Sequence, residues 1–195
     1  MNTSTNIPTA LLQICNAIVP LQADVIADIE LFLEYKFLKK KELLLKEGQV
    51  SKHLYFIDKG LIRSFYNEND IEITTWFMKE NDLIISVKSF FEQAPSTESL
   101  QAIEDCELYY ISHKNLNELY EKYQAFNTIG RVLTQHYYMM SEERLLNLRK
   151  KEAITRYQHL LQYHPQIAMR FPLKHIASYL GITLETLSRL RAKRI

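Results

Sequence analysis

The chain ends in GITLETLSRLRAKRI, and the polar side chains of that stretch are the ones whose types and spacing suit recognition of a polyanion. Thr183, Glu185, Ser188, Arg189 and Arg191 fall on one side of a helical repeat, where hydroxyls, a carboxylate and guanidinium forks reach base edges or phosphates. Lys193 and Arg194 add charge suited to a phosphate backbone. Positioning them requires a helix-turn-helix. Ile176, Ala177 and Leu180 form the inner face of a first short helix, Gly181 and Ile182 the turn, and Leu187 and Leu190 the inner face of a second. Ala177 is small where the second helix crosses, and Gly181 permits the sharp turn. Thr183 is placed to cap the second helix, with Glu185 in its first turn, where the helix dipole favours an anion.

The net charge of +1 is unevenly spread. From Arg144 onward there are 11 basic and 2 acidic side chains, a balance of +9, which leaves −8 for the rest. A basic end on an acidic body is the electrostatic footprint of a polyanion site confined to one domain. With 47% apolar residues the chain supports two small domains. No stretch has the roughly 20 apolar residues of a membrane span, and MNTSTNIPTA lacks the order of a secretory signal, so a cytoplasmic protein without a membrane partner is expected. Cys15 and Cys106 have no companions at ligand spacing, and His53 and His113 are too scattered for a facial ligand set. No nucleophile and base share a motif. Neither enzyme nor cofactor is expected.

Between about Phe37 and Ile111 short strands alternate with turns. ELLLKEG and HLYFIDKG end on Gly48 and Gly60, and LIRSFY and IEITTWF flank the turn NEND. Runs at Leu83 to Val87, Ser99 to Ile103 and Glu107 to Ile111 complete a small antiparallel barrel or jelly roll. Ala10 to Leu33 has helical periodicity and reads as a cap on it. Ser112 is placed to cap a following helix, and a long helix runs from about Ala125 to Leu148. Ile129, Leu133, His136 and Met140 form a stripe along it, read as a dimer seam in preference to packing on the chain's own barrel. The expected α+β fold is therefore a β-roll with flanking helices over 1–124, a dimerisation helix over 125–148 and a helix-turn-helix domain over 149–195.

In that order the elements resemble the Crp/Fnr family of bacterial transcription regulators. The resemblance rests on KEGQVSKHLYFIDKGLIRSFY in the roll and GITLETLSRLRAKRI at the end. It implies a cyclic-nucleotide-binding-type roll, a dimerising helix, a winged helix-turn-helix with its wing around Ala168 to Leu173, a near-palindromic duplex operator, and RNA polymerase as a partner. In the family the recognition helix opens Arg-Glu-Thr with a second Arg further on; Glu185, Thr186 and Arg189 match, and Leu184 replaces the first Arg. Members that bind cyclic AMP hold its phosphate with a Gly-Glu pair and an Arg followed by Ser or Thr. In NDLIISVKSFFEQAPSTESLQA, Ile85 and Ser86 stand at the pair, and Glu98 and Ser99 near the Arg and Ser. No Arg lies between Arg63 and Arg131. Lys88 is the one nearby cation suited to a phosphate, and Glu98 would repel one, so cyclic AMP is not expected to bind. The alternative is another small molecule in a roll rich in aromatics: Phe65, Tyr66, Trp76, Phe77, Phe90 and Phe91.

Overall fold

The computed structural model describes residues 6–150 and 152–192. Two N-terminal helices, α1 (Thr9–Ile18) and α2 (Ala23–Phe32), replace the single helical run of the sequence pattern. The break falls at Pro20, which cannot continue a helix, and Asn16 Oδ1 takes up the Leu21 N–H at 2.8 Å.

Eight strands follow, in two four-stranded antiparallel sheets. One is ordered β1 (Glu34–Leu38), β8 (Cys106–Ser112), β3 (His53–Lys59), β6 (Leu83–Ile84). The other is ordered β2 (Leu43–Leu45), β7 (Ser99–Ala102), β4 (Ile62–Glu68), β5 (Ile71–Met78). The β4–β5 hairpin turns on Asn69 and Asp70, both at positive φ (51° and 64°), the geometry whose twist matches the paired strands. Gly60 sits at φ 105°, where a Cβ would lie 2.7 Å from the Asp105 carbonyl oxygen, so no larger residue fits. Between the sheets Leu38, Ile57, Ile62, Ile84, Leu100 and Leu108 form the roll's core. A short helix, α3 (Val87–Glu92), interrupts the roll after β6.

Ser112 caps α4 (His113–Lys122) by accepting the Asn115 N–H at 3.1 Å. The long helix α5 spans Gln124–Lys150. Beyond it lie α6 (Ala153–Tyr163), α7 (Pro165–Arg170), α8 (Leu173–Tyr179) and α9 (Leu184–Ala192). The segment expected to form a wing, 168–173, is instead the end of α7 and the start of α8. Pro165 opens α7 at a position where its missing N–H costs nothing, and Pro172, before α8, has no N–H for a ladder. Among the described residues no strand follows β8.

The roll and the terminal helices share one core. Leu61, Phe77 and Ile103 of the roll pack with Tyr157, Leu160, Ile167, Phe171, Ile176, Leu180 and Leu187. The Phe77 ring lies 4.0 Å from that of Phe171 and 4.7 Å from that of Tyr179.

Candidate nucleic-acid interface

Helices α8 and α9 form the anticipated helix-turn-helix. Ile176, Ala177, Leu180 and Leu187 are buried in the shared core, with Ile182 and Leu190 packed against it. The turn closes through the Ile182 N–H on the Ala177 carbonyl at 3.0 Å. At Gly181 the demand is conformational: φ is 64°, while the nearest atom to an added Cβ is Leu148 Cδ2 at 3.8 Å, an ordinary contact. Thr183 caps α9, its Oγ1 accepting the Thr186 N–H at 3.1 Å. The Glu185 carboxyl is held below its usual range by its own backbone N–H, with further contributions from Thr183 and the Arg189 charge.

With its inner side buried, α9 presents Leu184, Glu185, Ser188, Arg189 and Arg191 to solvent, next to exposed Thr183. Thr186 is half-buried and holds Arg189, whose Nη2 donates to Thr186 Oγ1 at 3.3 Å. The guanidinium's hydrogen bond goes to Thr186, and its charge acts on Glu185 one turn earlier. Lys193 and Arg194 lie outside the described residues.

The contacts that fix this unit on the roll were not legible in the sequence. Arg63 of β4 is 1% exposed. It donates to Glu72 Oε2 at 2.5 Å, to Gln101 Oε1 at 2.7 and 3.0 Å, and to His175 Nδ1 of α8 at 3.0 Å, while its guanidinium stacks 4.0 Å over Phe65. Burial, followed by the nearby Arg63 and Lys174 charges, pulls the His175 pKa down to about 4, so the ring is a neutral acceptor. Ser178 Oγ accepts the Thr74 N–H at 2.8 Å and donates to the Glu72 carbonyl at 3.2 Å, so α8 satisfies backbone groups of edge strand β5. Arg170 grips Glu80 through two bonds of 2.8 and 2.9 Å and also reaches Glu104. The Arg170 hydrogen bonds pull Glu80 down to about 2, helped by the Gly60 N–H. Part of the charge asymmetry thus serves docking. The signal available in advance was a lone Arg inside the apolar strand LIRSFY.

In and around the stretch 81–102, the cassette where the resemblance implies a phosphate site, hydroxyls fill the interior. Ser51, Ser86, Ser89 and Ser96 are buried together: Ser86 and Ser96 hydroxyls meet at 2.9 Å, Ser89 Oγ accepts the Ser51 N–H at 2.9 Å, and Ser96 Oγ donates to the Glu98 carbonyl at 2.7 Å. Glu98 Oε2 accepts from Ser64 Oγ, which also takes a 2.9 Å bond from Thr75. Ser99 Oγ accepts the Glu47 N–H at 3.0 Å, and Lys88 is exposed on α3. The aromatics do not converge on one pocket. Phe77 belongs to the interdomain core, Phe90 packs with the N-terminal helices, Phe65 lies under Arg63, and Phe91 is exposed.

Along α5 the expected stripe divides. Ile129 is buried, and both Ile129 and Leu133 line a cavity within the chain; His136 is exposed and Met140 half-buried. The exposed apolar side chains include Tyr138, Met139, Leu145, Leu146 and Leu148. Among the described residues no helix is long and apolar enough to cross a membrane, and no group of three or more His, Cys, Asp or Glu could hold a metal.

Residues 35–123 match the family model of the cyclic nucleotide-binding domain. FixK2 from Bradyrhizobium japonicum superposes with a TM-score of 0.71 at 20% identity, over 83% of this chain and 83% of that one. CooA from Carboxydothermus hydrogenoformans superposes with 0.69 at 19% identity, over 96% and 84%. A protein from Eubacterium rectale assigned to the Crp/Fnr family superposes with 0.71 at 15% identity, over 89% and 83%. No curated protein sequence matches the chain.

Proposed function

We propose that this chain, a Crp/Fnr-fold protein whose residues 35–123 match the cyclic nucleotide-binding domain model, is a dimeric DNA-binding transcription regulator that does not answer to cyclic AMP. One observation carries the reading. Helix α9 is anchored by Leu187, which is fully buried, while Glu185, Ser188, Arg189 and Arg191 are exposed on its outer side. That is the division of labour a helix needs to enter a major groove. Two copies would place their α9 helices in successive major grooves about 34 Å apart on a near-palindromic duplex operator, with RNA polymerase as the partner there.

Dimerisation is assigned to the outer face of α5. Val132, Met139 and Leu146 recur every seven residues, flanked by Tyr138 and Leu145, and such a seam suits a second copy of the same helix. Charge placed at Leu133 would disturb the chain's own interior. Met139→Asp and Leu146→Asp are the clean probes, and light scattering should show each shifting a particle of twice the 23.1 kDa chain toward the single chain.

Selection from random duplex DNA tests the whole reading, and failure to enrich any sequence would end it. On the selected site Arg189→Ala should cost about 1 to 3 kcal/mol and relax one position per half-site, with little loss on random DNA. Lys193→Ala should weaken both kinds of DNA and lower the salt slope by about one. Equal loss for Arg189→Ala on operator and random duplex would reassign that residue to phosphate contact.

A further inference from the structure

A cavity of about 80 Å³ lies between the N-terminal helices, the β3–β8 side of the roll, α4 and α5. Its lining shares no residue with the recognition helix or with the buried serines of the cassette. Leu12 and Cys15 of α1, Phe56 of β3, and Ile129 and Leu133 of α5 supply much of the wall. Among the described residues no charged one lines it, and their side-chain heteroatoms come only from Cys15, Tyr109 and Tyr120. On the α5 side the backbone itself is exposed to the space at Gly130. A Cβ there would stand 2.6 Å from Tyr120 Oη, so the absence of a side chain lets the Tyr120 ring lie directly against the helix.

We propose that this cavity is a binding site for a small neutral apolar molecule, no larger than a single six-membered ring or a short branched alkyl chain. Three physical considerations favour such an occupant. Water entering so apolar a space finds too few hydrogen-bond partners to repay what it loses, whereas dry apolar cavities of about 150 Å³, roughly twice this one, take up benzene or xenon. An empty hole also forfeits the dispersion contacts its lining would otherwise make, and a larger side chain at Cys15 would recover them; the chain keeps the space open. Finally, the lining offers no charge or convergent donors to orient a polar ligand, which leaves shape and apolar contact as the means of selection. Because Ile129, Gly130 and Leu133 belong to α5, an occupant would tie the first half of that helix to α1 and α4. The site is independent of the assignment of DNA binding, and it survives or falls without it.

Thermal unfolding of the full chain with benzene as probe, paired with methyl NMR under xenon, tests the site. Wild type should show a saturable rise of a few degrees in Tm with benzene, since binding to the folded form alone shifts unfolding by mass action. Xenon should move methyl resonances confined to the wall, those of Leu12, Ile129 and Leu133 among them. Cys15→Leu and Leu12→Phe, each adding bulk at the wall, should raise Tm without ligand and abolish the benzene response. No response in wild type, or a response that persists undiminished in both filled variants, overturns the proposal. Should neither variant fold, the xenon experiment on wild type decides it: shifts confined to the wall sustain the site, and shifts absent or scattered through the chain overturn it.

Discussion

Two neighbouring regions of one sheet carry its polar investment, and they differ in kind. Toward the roll's interior, Ser64 and Thr75 bond to each other and to Glu98, close to the sequence position where a phosphate-binding Arg would stand. Toward the terminal helices, Arg63 on the same strand is buried against Glu72, Gln101 and His175. Successive residues of a strand point to opposite faces, so one step along β4 moves from a hydroxyl-and-carboxylate lining to a charged seam. The difference teaches where the roll's single Arg is spent. It fastens the terminal helices to the roll, and Lys88, exposed on α3, is the one cation left in the stretch 81–102.

The seam should break first and hardest at its carboxylate. Glu72 is the acidic partner of Arg63, and Glu72→Ala would leave a guanidinium that is 1% exposed with only neutral acceptors. Removing one member of such a pair exposes the full desolvation penalty of the other, so a loss of about 2 to 3 kcal/mol is expected in urea unfolding. Arg63→Met should cost less, because it removes the buried charge together with its need for a partner. If Glu72→Ala proved the milder of the two, the seam would be held by packing of Phe77 on Phe171 and Tyr179, and the ion pair would be incidental.

A second, smaller effect is written in pH. His175 faces Arg63 and Lys174, with the Glu72 charge acting the other way, and its folded pKa of about 4 lies below the usual 6.5. Above 6.5 both folded and unfolded forms are neutral and stability is unaffected. As pH falls from 6.5 toward 4 the unfolded chain takes up a proton that the folded chain refuses, so stability declines, by on the order of 2 to 3 kcal/mol across that window. Glu80, depressed to about 2 by Arg170, holds its contribution above its ordinary range near 4.5 and loses it as pH falls toward 2, so it adds a further decline in a lower window. Tm measured between pH 7 and 5 lies above the Glu80 window and reports the histidines whose pKa burial lowers, His53 and His164 as well as His175. His175→Gln should flatten that slope, and an unchanged slope would remove His175 as its source.

These contrasts also mark what a sequence can disclose. The β4–β5 hairpin, the Ser112 cap and the α8–α9 turn were legible because each is set by neighbours: Asn69-Asp70 in the turn, a hydroxyl three residues before the N–H it receives, a glycine at positive φ. The seam was not, since Arg63 and His175 are 112 positions apart and no local period reports such a pairing. The same reason divides the stripe of Ile129, Leu133, His136 and Met140. Periodicity showed that α5 has an apolar side, but Ile129 and Leu133 are claimed by the chain's own N-terminal layer, and only folding reveals which apolar side chains remain, Met139 and Leu146 among them. The helical character of segment 168–173 is a local matter that family expectation overrode: Pro165 and Pro172 bracket a helix.

The inner lining should yield the smallest effects. Glu98 is half-buried, and its recorded partners are hydroxyls, so Glu98→Ala removes a charge-assisted bond but strands no buried ion; about 1 kcal/mol is expected, well below Glu72→Ala. Cyclic AMP and cyclic GMP should do less still. A phosphodiester entering there would meet the Glu98 carboxylate and a set of serines already bonded to one another, while Lys88 points into solvent from α3. Nothing on that side offers the bidentate guanidinium that makes phosphate capture strong. At a hundred times its dissociation constant a ligand adds about 2.7 kcal/mol to stability, so millimolar nucleotide would reveal even a dissociation constant in the tens of micromolar as a clear rise in Tm. Glu98→Arg sharpens the test, because it restores the cation but leaves Ser51, Ser86, Ser89 and Ser96 in place. If wild type stays silent and Glu98→Arg responds, the missing charge is what bars the nucleotide. If both stay silent, the serine packing bars it as well, and a saturable response in wild type would mean that the contrast between the two regions had been drawn in the wrong place.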